Sequence, residues 1–394
     1  LITMKSILKI IGGFLATILL VVILLFIFDY DYILKGIQVV YLHGHKTAYI
    51  DDYPEFPNRV IKADSTLTDS WPLHKNYNEA KPTARLTDLN KELETVAFLI
   101  IKNDSIWYED YAEDYGLLSK TNSFSMAKSI TVALLGKAIK DGYIKDLNQP
   151  VGDFFPEFQK GERAKLSVGD LAAMSSGLDW DEDYFNPFSQ TARAYFGDNI
   201  RKEAVNLNVI EEPGTSFKYL SGNTILLGMV IEKAAGKPLT TYLSESFWKP
   251  LGMAHDALWQ LDSEEYGMEK AYCCIASNAR DFARFGKLFK EDGKWNGKEI
   301  LDSKFVKTVK KARFKESPQY GYGFWLSDYK GKEIFYMRGV LGQYVIVIPE
   351  DDLIIVRLGH NLIRREEGEN HAKDFFIYID EAYKMLADDS KNST

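Results

Sequence analysis

Strand-like runs stand at both ends of the globular part of this 394-residue chain, and most of what lies between them carries helical spacing. Near the front are Thr95 to Ile101 (TVAFLII) and Ser105 to Tyr111 (SIWYEDY), separated by the turn-forming pair Asn103-Asp104. Near the end are Glu333 to Arg338, Gln343 to Ile348 and Leu353 to Arg357, with Pro349-Glu350-Asp351-Asp352 turning between the last two. Strands at both ends imply one sheet, and a chain that must leave that sheet and return to it. The pattern therefore predicts an α+β fold, an α/β sandwich. Its antiparallel sheet is built from both termini of the domain and flanked by helices, and a mostly helical subdomain, about 140–310, is inserted in the middle. Within the insert, Leu166 to Met174 has helical spacing, and Asn223 to Ala235 stops at Gly236. Ser277 reads as the N-cap of a helix from Asn278 to Lys290, and a final amphipathic helix runs from about Ala372 to Leu386. With 46% hydrophobic residues there is ample material for one large core.

The N-terminal part obeys a different rule. From Ile10 to Phe28 no residue is charged, and that run matches the roughly 20 residues needed to cross a bilayer. Lys5 and Lys9 precede it, and Asp29 and Asp31 follow it. The excess of lysine on one side predicts a cytoplasmic tail at 1–9, a single membrane-spanning anchor at 10–28 and the bulk of the chain on the periplasmic or extracellular side. The FIFDYDYIL that follows offers no small-residue cleavage site, which favours an uncleaved anchor. Residues 29–85, rich in Tyr, Asp, Pro and His, read as an extended stalk and lead-in, partial wrapping onto the domain being the alternative, and residues 86–388 as the domain proper.

Composition removes several function classes. A net charge of −8 without a long basic run excludes a nucleic-acid partner. The six histidines form no metal-ligand spacing, and His43 and His45 lack a third ligand, so neither metal nor cofactor is expected. The only cysteines, Cys273 and Cys274, are adjacent. Neighbours rarely bridge, so no disulfide is expected, and a thiol catalyst has no nearby histidine to serve it.

The chemistry is concentrated at Ser125-Met126-Ala127-Lys128, which opens the apolar helix SMAKSITVALLGKAIKDGYI. Serine at a helix start and lysine three residues on share one face, one turn apart. A hydroxyl and an amine so held can act as nucleophile and proton acceptor. An N-cap serine followed by a surface lysine has the same spacing, and Ser-x-x-Lys recurs at Ser6 to Lys9 and at Ser246 to Lys249. Only the Ser125 copy follows two strand candidates and precedes a long helix. Such an enzyme needs a second proton shuttle and an oxyanion hole. About ninety residues on, PGTSFKYLSGN places the Tyr219 phenol just before a helix start, with Ser221 on the same side of an extended segment. Met337-Arg338-Gly339 ends one strand, and its glycine permits a ligand to approach the strand edge.

Five ordered segments carry a resemblance over residues 85–388: FSMAKS, DLAAMSSGLDWDEDY, PGTSFKYLSGNTILLG, FWKPLGM and GQYVIVIPEDDLIIVRLG. The chain resembles the serine β-lactamase and penicillin-binding superfamily, in its branch of class C β-lactamases, D,D-peptidases and esterases. Within that branch it is most similar to the 6-aminohexanoate-dimer (nylon-oligomer) hydrolase group. The resemblance implies Ser125 as the acylated nucleophile, Lys128 as its proton acceptor and Tyr219 as the proton donor to the leaving group. It implies an oxyanion hole from the backbone N–H groups of Ser125 and Val340. Ser221 fills the asparagine slot of the family's Tyr-x-Asn motif, with a helix cap as its alternative role and Asn223 as a rival. Gly339 borders the substrate, and Trp180 and Tyr184 belong to an aromatic, acidic-rimmed segment expected along the cleft.

Two positions depart from the family pattern. Met337 stands where a lysine or histidine helps hold an antibiotic carboxylate, and Ser221 replaces an amide. Both departures point away from β-lactams, toward an amide or ester in a small-molecule or peptide-like substrate. The rival readings are a D,D-carboxypeptidase or β-lactamase proper, and a non-catalytic penicillin-binding sensor. The short segment before the single apolar run argues against a sensor.

Overall fold

The computed structural model describes residues 3–64, 66, 71–112 and 114–392. Helix α1 (Met4–Ile27) contains the uncharged run up to Ile27, with Phe28 as its C-cap, and begins ahead of that run so as to include Lys5 and Lys9. No side chain along it is buried, so apolar groups face outward all round. Such a surface is stable only under lipid or another apolar cover. Helix α2 (Ala84–Glu92) then leads into strands β1 (Thr95–Lys102) and β2 (Ser105–Tyr111). The chain leaves the sheet through α3 (Met126–Lys140), passes α4 (Ser221–Ala235) and α5 (Ala279–Lys290), and returns as β3 (Trp325–Ser327), β4 (Ile334–Gly339), β5 (Gln343–Ile348) and β6 (Leu353–Gly359). Helix α6 (Lys373–Asn392) closes it.

The main sheet has the order β2-β1-β6-β5-β4-β3, with every neighbouring pair antiparallel. Both ends of the domain thus meet in one sheet, at the β1–β6 seam where Ile355 pairs with Ile100. Alternate residues divide between two cores, as a pleated strand requires. Val345, Val347, Ile354 and Val356 face α3 and α5, whereas Tyr344, Ile346, Leu353 and Ile355 face α2 and α6. Helix α5 approaches its face closely at Gly286, where a Cβ would lie 2.9 Å from Val345 Cγ1. On the opposite face Phe375, Tyr378, Ile379, Ala382 and Met385 form the buried stripe of α6. Helix α3 is buried along nearly its whole length, which explains why its sequence is apolar on every side.

Four features differ from the sequence reading. The lead-in does not stand apart as an extended stalk. Ile50, Asp52, Phe56 and Ile61 are buried, and Asn58–Ile61 pairs with Ala257–Gln260. Those strands, with Ile275–Ser277 and Thr121–Asn122, make a second four-stranded sheet, so the insert is not built of helices alone. Asn278, rather than Ser277, caps α5 by accepting from the Asp281 N–H, while Ser277 ends a strand. Cys273 and Cys274, expected to stay apart, are bonded to each other as a buried vicinal pair, with Cys274 at φ 75°.

Candidate active site

Ser125 stands at the N-cap of α3, yet its side chain caps nothing. Its Oγ instead lies 3.0 Å from Lys128 Nζ. The lysine is buried, and its amine also reaches Ser221 Oγ at 3.1 Å and the Tyr272 carbonyl at 2.9 Å. The rings of Tyr219 and Tyr272 flank the amine, with centroids 5.1 and 5.4 Å away. Burial pushes the Tyr272 phenol pKa well up, so it stays neutral. The half-buried Tyr219 packs on Trp325 and Tyr320, and its hydroxyl has no hydrogen-bond partner among the described residues.

The backbone around Ser125 is shaped for close approach. Phe124, just before Ser125, has φ 44°, an uncommon conformation for a bulky residue. The Asn122 side chain holds that loop by accepting from the Phe124 N–H at 2.9 Å. The end of β4 lies against the same loop, since a Cβ on Gly339 would sit 2.3 Å from the Ser123 carbonyl oxygen. Val340 follows in a tight turn with Leu341 at φ 63°. The buried Arg357 anchors that turn by donating to the carbonyls of Leu341 at 2.7 Å and Gly342 at 3.0 Å. Ser125 and Val340 therefore lie on two loops brought together by one tight contact.

Ser125, Tyr219 and Ser221 converge on the Lys128 amine, Gly339 and Val340 border the Ser125 loop, and Tyr184 joins Ser221 through Glu182, whereas Asn223 and Trp180 are placed elsewhere. Asn223 is buried one turn into α4's first stretch, where its Nδ2 meets Met174 Sδ at 3.4 Å. Trp180 lines no surface: it is 4% exposed, bonded to Thr191 Oγ1 and packed where a Cβ on Gly222 would come within 2.6 Å of its ring. Tyr184 is exposed, and its hydroxyl donates to Glu182. Met337 points into the core at 1% exposure, and Arg338 stacks on Trp325 with its guanidinium carbon 3.3 Å from the ring centroid.

Two participants had escaped the sequence reading, Tyr272 and Glu182. Tyr272 contributes a carbonyl, which any residue type supplies. Glu182 accepts from the Ser221 N–H at 2.6 Å and from Ser221 Oγ at 2.7 Å. Its one signal in sequence is an acidic run, Asp181-Glu182-Asp183, inside an aromatic segment. Among the described residues one group of three carboxylates comes together, Asp104, Glu291 and Asp352, and the Lys290 ammonium bonds to all three.

The beta-lactamase family model matches residues 82–374. The chain belongs to this family. It is 26% identical over 299 residues to the 6-aminohexanoate-dimer hydrolase of Paenarthrobacter ureafaciens, covering 70% of this chain and 75% of that one. A solved structure from Bacillus anthracis, a candidate 6-aminohexanoate-dimer hydrolase, superposes with a TM-score of 0.73 at 22% identity, over 86% of this chain and 92% of that one. A family VIII carboxylesterase shares the fold with a TM-score of 0.59 at 17% identity, over 76% of this chain and 95% of that one. The family match and this curated relative make the chain a serine hydrolase of the beta-lactamase family.

Proposed function

We propose that this β-lactamase-family hydrolase cleaves a small linear amide or ester through an acyl-Ser125 intermediate, while held at a membrane by α1. The observation that carries the reading is the buried Lys128 amine, 3.0 Å from Ser125 Oγ and facing the Tyr219 ring. As Oγ attacks the carbonyl carbon, its proton passes to Lys128 Nζ and the carbonyl oxygen becomes an oxyanion. The N–H groups of Ser125 and Val340 are assigned to receive it. Collapse of the tetrahedral species expels the alcohol or amine, which takes a proton by way of Tyr219. Water then attacks the acyl carbon, giving a proton to Lys128 Nζ; the acyl carbon–Oγ bond breaks, the carboxylic acid leaves and Oγ recovers its proton from the lysine.

The buried Met337 side chain offers no cation to a β-lactam carboxylate, and the relative from Paenarthrobacter is named for a linear amide, so β-lactams are assigned as poor substrates. At 1.5 Å per residue the 24 residues of α1 extend about 36 Å, enough for a bilayer's hydrocarbon core. Lys5 and Lys9 favour a cytoplasmic N-terminus, with the domain on the other side.

The test is a panel of p-nitrophenyl esters, 6-aminohexanoate dimer, a D-Ala-D-Ala peptide and nitrocefin, given to full-length protein in detergent, with mass spectrometry of trapped intermediates. Acylation mapped to Ser125, with ester or linear-amide turnover above nitrocefin turnover, is the expected result. Acylation elsewhere, or nitrocefin as the fastest substrate, would overturn the reading.

A further inference from the structure

We infer that Glu182 aims the Lys128 amine at the nucleophile through the Ser221 hydroxyl. The inference rests on the acyl-Ser125 reading and adds to it a positioning residue on the aromatic segment.

The argument is an accounting of protons. Glu182 accepts at both oxygens: Oε2 from the Ser221 N–H at 2.6 Å, and Oε1 from Ser221 Oγ at 2.7 Å and the Tyr184 hydroxyl at 2.5 Å. Three donors around one carboxyl group suit the carboxylate, which only accepts. The single proton of the Ser221 hydroxyl is therefore committed to Glu182. Ser221 Oγ, 3.1 Å from Lys128 Nζ, is left to accept an N–H from the amine. The Tyr272 carbonyl, also an acceptor only, takes a second N–H at 2.9 Å.

A neutral amine has two N–H bonds and one lone pair. With both N–H bonds committed, the lone pair faces the remaining neighbour, Ser125 Oγ at 3.0 Å. That is the orientation in which Ser125 can give up its proton. The ammonium so formed has three N–H bonds for the same three acceptors, so nothing needs to rotate when the proton moves. Without the carboxylate, the Ser221 hydroxyl is free to donate to Lys128, and two hydroxyls compete for one lone pair.

Glu182 also meets the N-terminus of α4, where any carboxylate is favoured. A role confined to that end would stabilise the helix but leave the acylation rate alone. The two roles separate in a double-mutant cycle. Full-length wild type, E182Q, S221A and the double variant are compared in detergent by burst kinetics on a p-nitrophenyl ester. Thermal melts check folding, and mass spectrometry follows Ser125. Each single variant is expected to slow acylation by roughly 10- to 100-fold with little change in KM, and the double variant to be no slower than S221A. If E182Q fails to fold, the S221A arm still decides, since removing the hydroxyl must slow acylation without raising KM. An E182Q enzyme acylating at the wild-type rate, a multiplicative loss in the double variant, or a change confined to KM would overturn the inference alone. A wild type that forms no acyl-Ser125 would overturn the hydrolytic reading and this one with it.

Discussion

Asp52 offers a quantitative test of how the lead-in is joined to the catalytic domain. It is fully buried, accepting from Asn122 Nδ2 at 2.9 Å, Gln260 Nε2 at 3.3 Å and the Tyr195 hydroxyl at 2.6 Å. Burial is the largest influence on its carboxyl and raises its pKa from 3.8 to about 6, although the hydrogen bonds and Lys270 pull the other way. A carboxyl that holds its proton more tightly folded than unfolded contributes stability fully below the unfolded value, and that stability is lost as pH rises through the folded one. The interval from 3.8 to about 6 corresponds to about 3 kcal/mol.

Asp52→Asn removes this titration, together with the pull of the Asp52 carboxylate on the buried Lys270 amine. Other raised carboxyls, such as Asp262, Asp281 and Asp374, remain in both proteins and cancel in the comparison. The stability of wild type relative to Asp52→Asn should therefore fall by about 2 to 2.5 kcal/mol between pH 4 and pH 7. Urea unfolding of both full-length proteins in the same detergent, at half-unit pH steps, measures that difference. Parallel curves, differing by a constant across the range, would refute the claim that Asp52 is ionised at a cost inside the fold.

Tyr219→Phe should lower turnover by roughly 10²- to 10⁴-fold with an unchanged melting temperature, because its hydroxyl supports no described residue, whereas a near-normal rate would leave it a packing residue. Ser125→Ala should lower turnover by about 10⁴-fold or more while leaving the fold intact, as read by steady-state rates and circular dichroism. Gly339→Ala would drive its Cβ against the Ser123 carbonyl, so it should cost about 1–3 kcal/mol in urea unfolding and slow acylation by about 10²-fold. Full-length protein should resist carbonate extraction from membranes, and a mature N-terminus found near Asp29 would show instead that α1 is removed.

What could be read from the sequence was whatever repeats at short range. Five of the six sheet strands follow from short apolar runs such as Gln343 to Ile348 and Leu353 to Arg357, whose neighbouring residues sort into two cores, whereas the three-residue β3 and helix α2 are not marked in this way. Ser125 and Lys128 are one helical turn apart, so their meeting needed no tertiary information. The burial of the lead-in left no such trace. Ile50, Asp52, Phe56 and Ile61 are single apolar or acidic residues among Asp, Pro and Tyr, without a period. Asp52 meets Asn122 across 70 positions, and a carboxylate in a polar run carries no mark of where it will be buried. Trp180 misleads for a related reason. An aromatic residue in a loop after Gly177 suits a cleft wall, but only the space left by Gly222 shows that it fills the core beneath α4.

The same division runs through the site. Helix α3 fixes Ser125, Lys128 and Thr131 on one side by local geometry alone. What aims their polar atoms is the stretch from Lys270 to Cys274, which no motif marks. Thr131 Oγ1 donates to the Ala271 carbonyl at 2.8 Å, and Lys128 Nζ to the next carbonyl, Tyr272, at 2.9 Å. Residues one turn apart on the helix thus grip consecutive carbonyls of a single segment. That segment is held in turn by Trp259 Nε1, which donates to the carbonyls of Lys270 at 3.0 Å and Cys273 at 3.1 Å. A lysine on a long flexible stem becomes a directed base only when its N–H groups are assigned to fixed acceptors. On the proposed acyl-Ser125 reading the tetrapeptide supplies the reacting groups, and the backbone carbonyl of Tyr272, 144 residues away, with the Ser221 hydroxyl, supplies the direction.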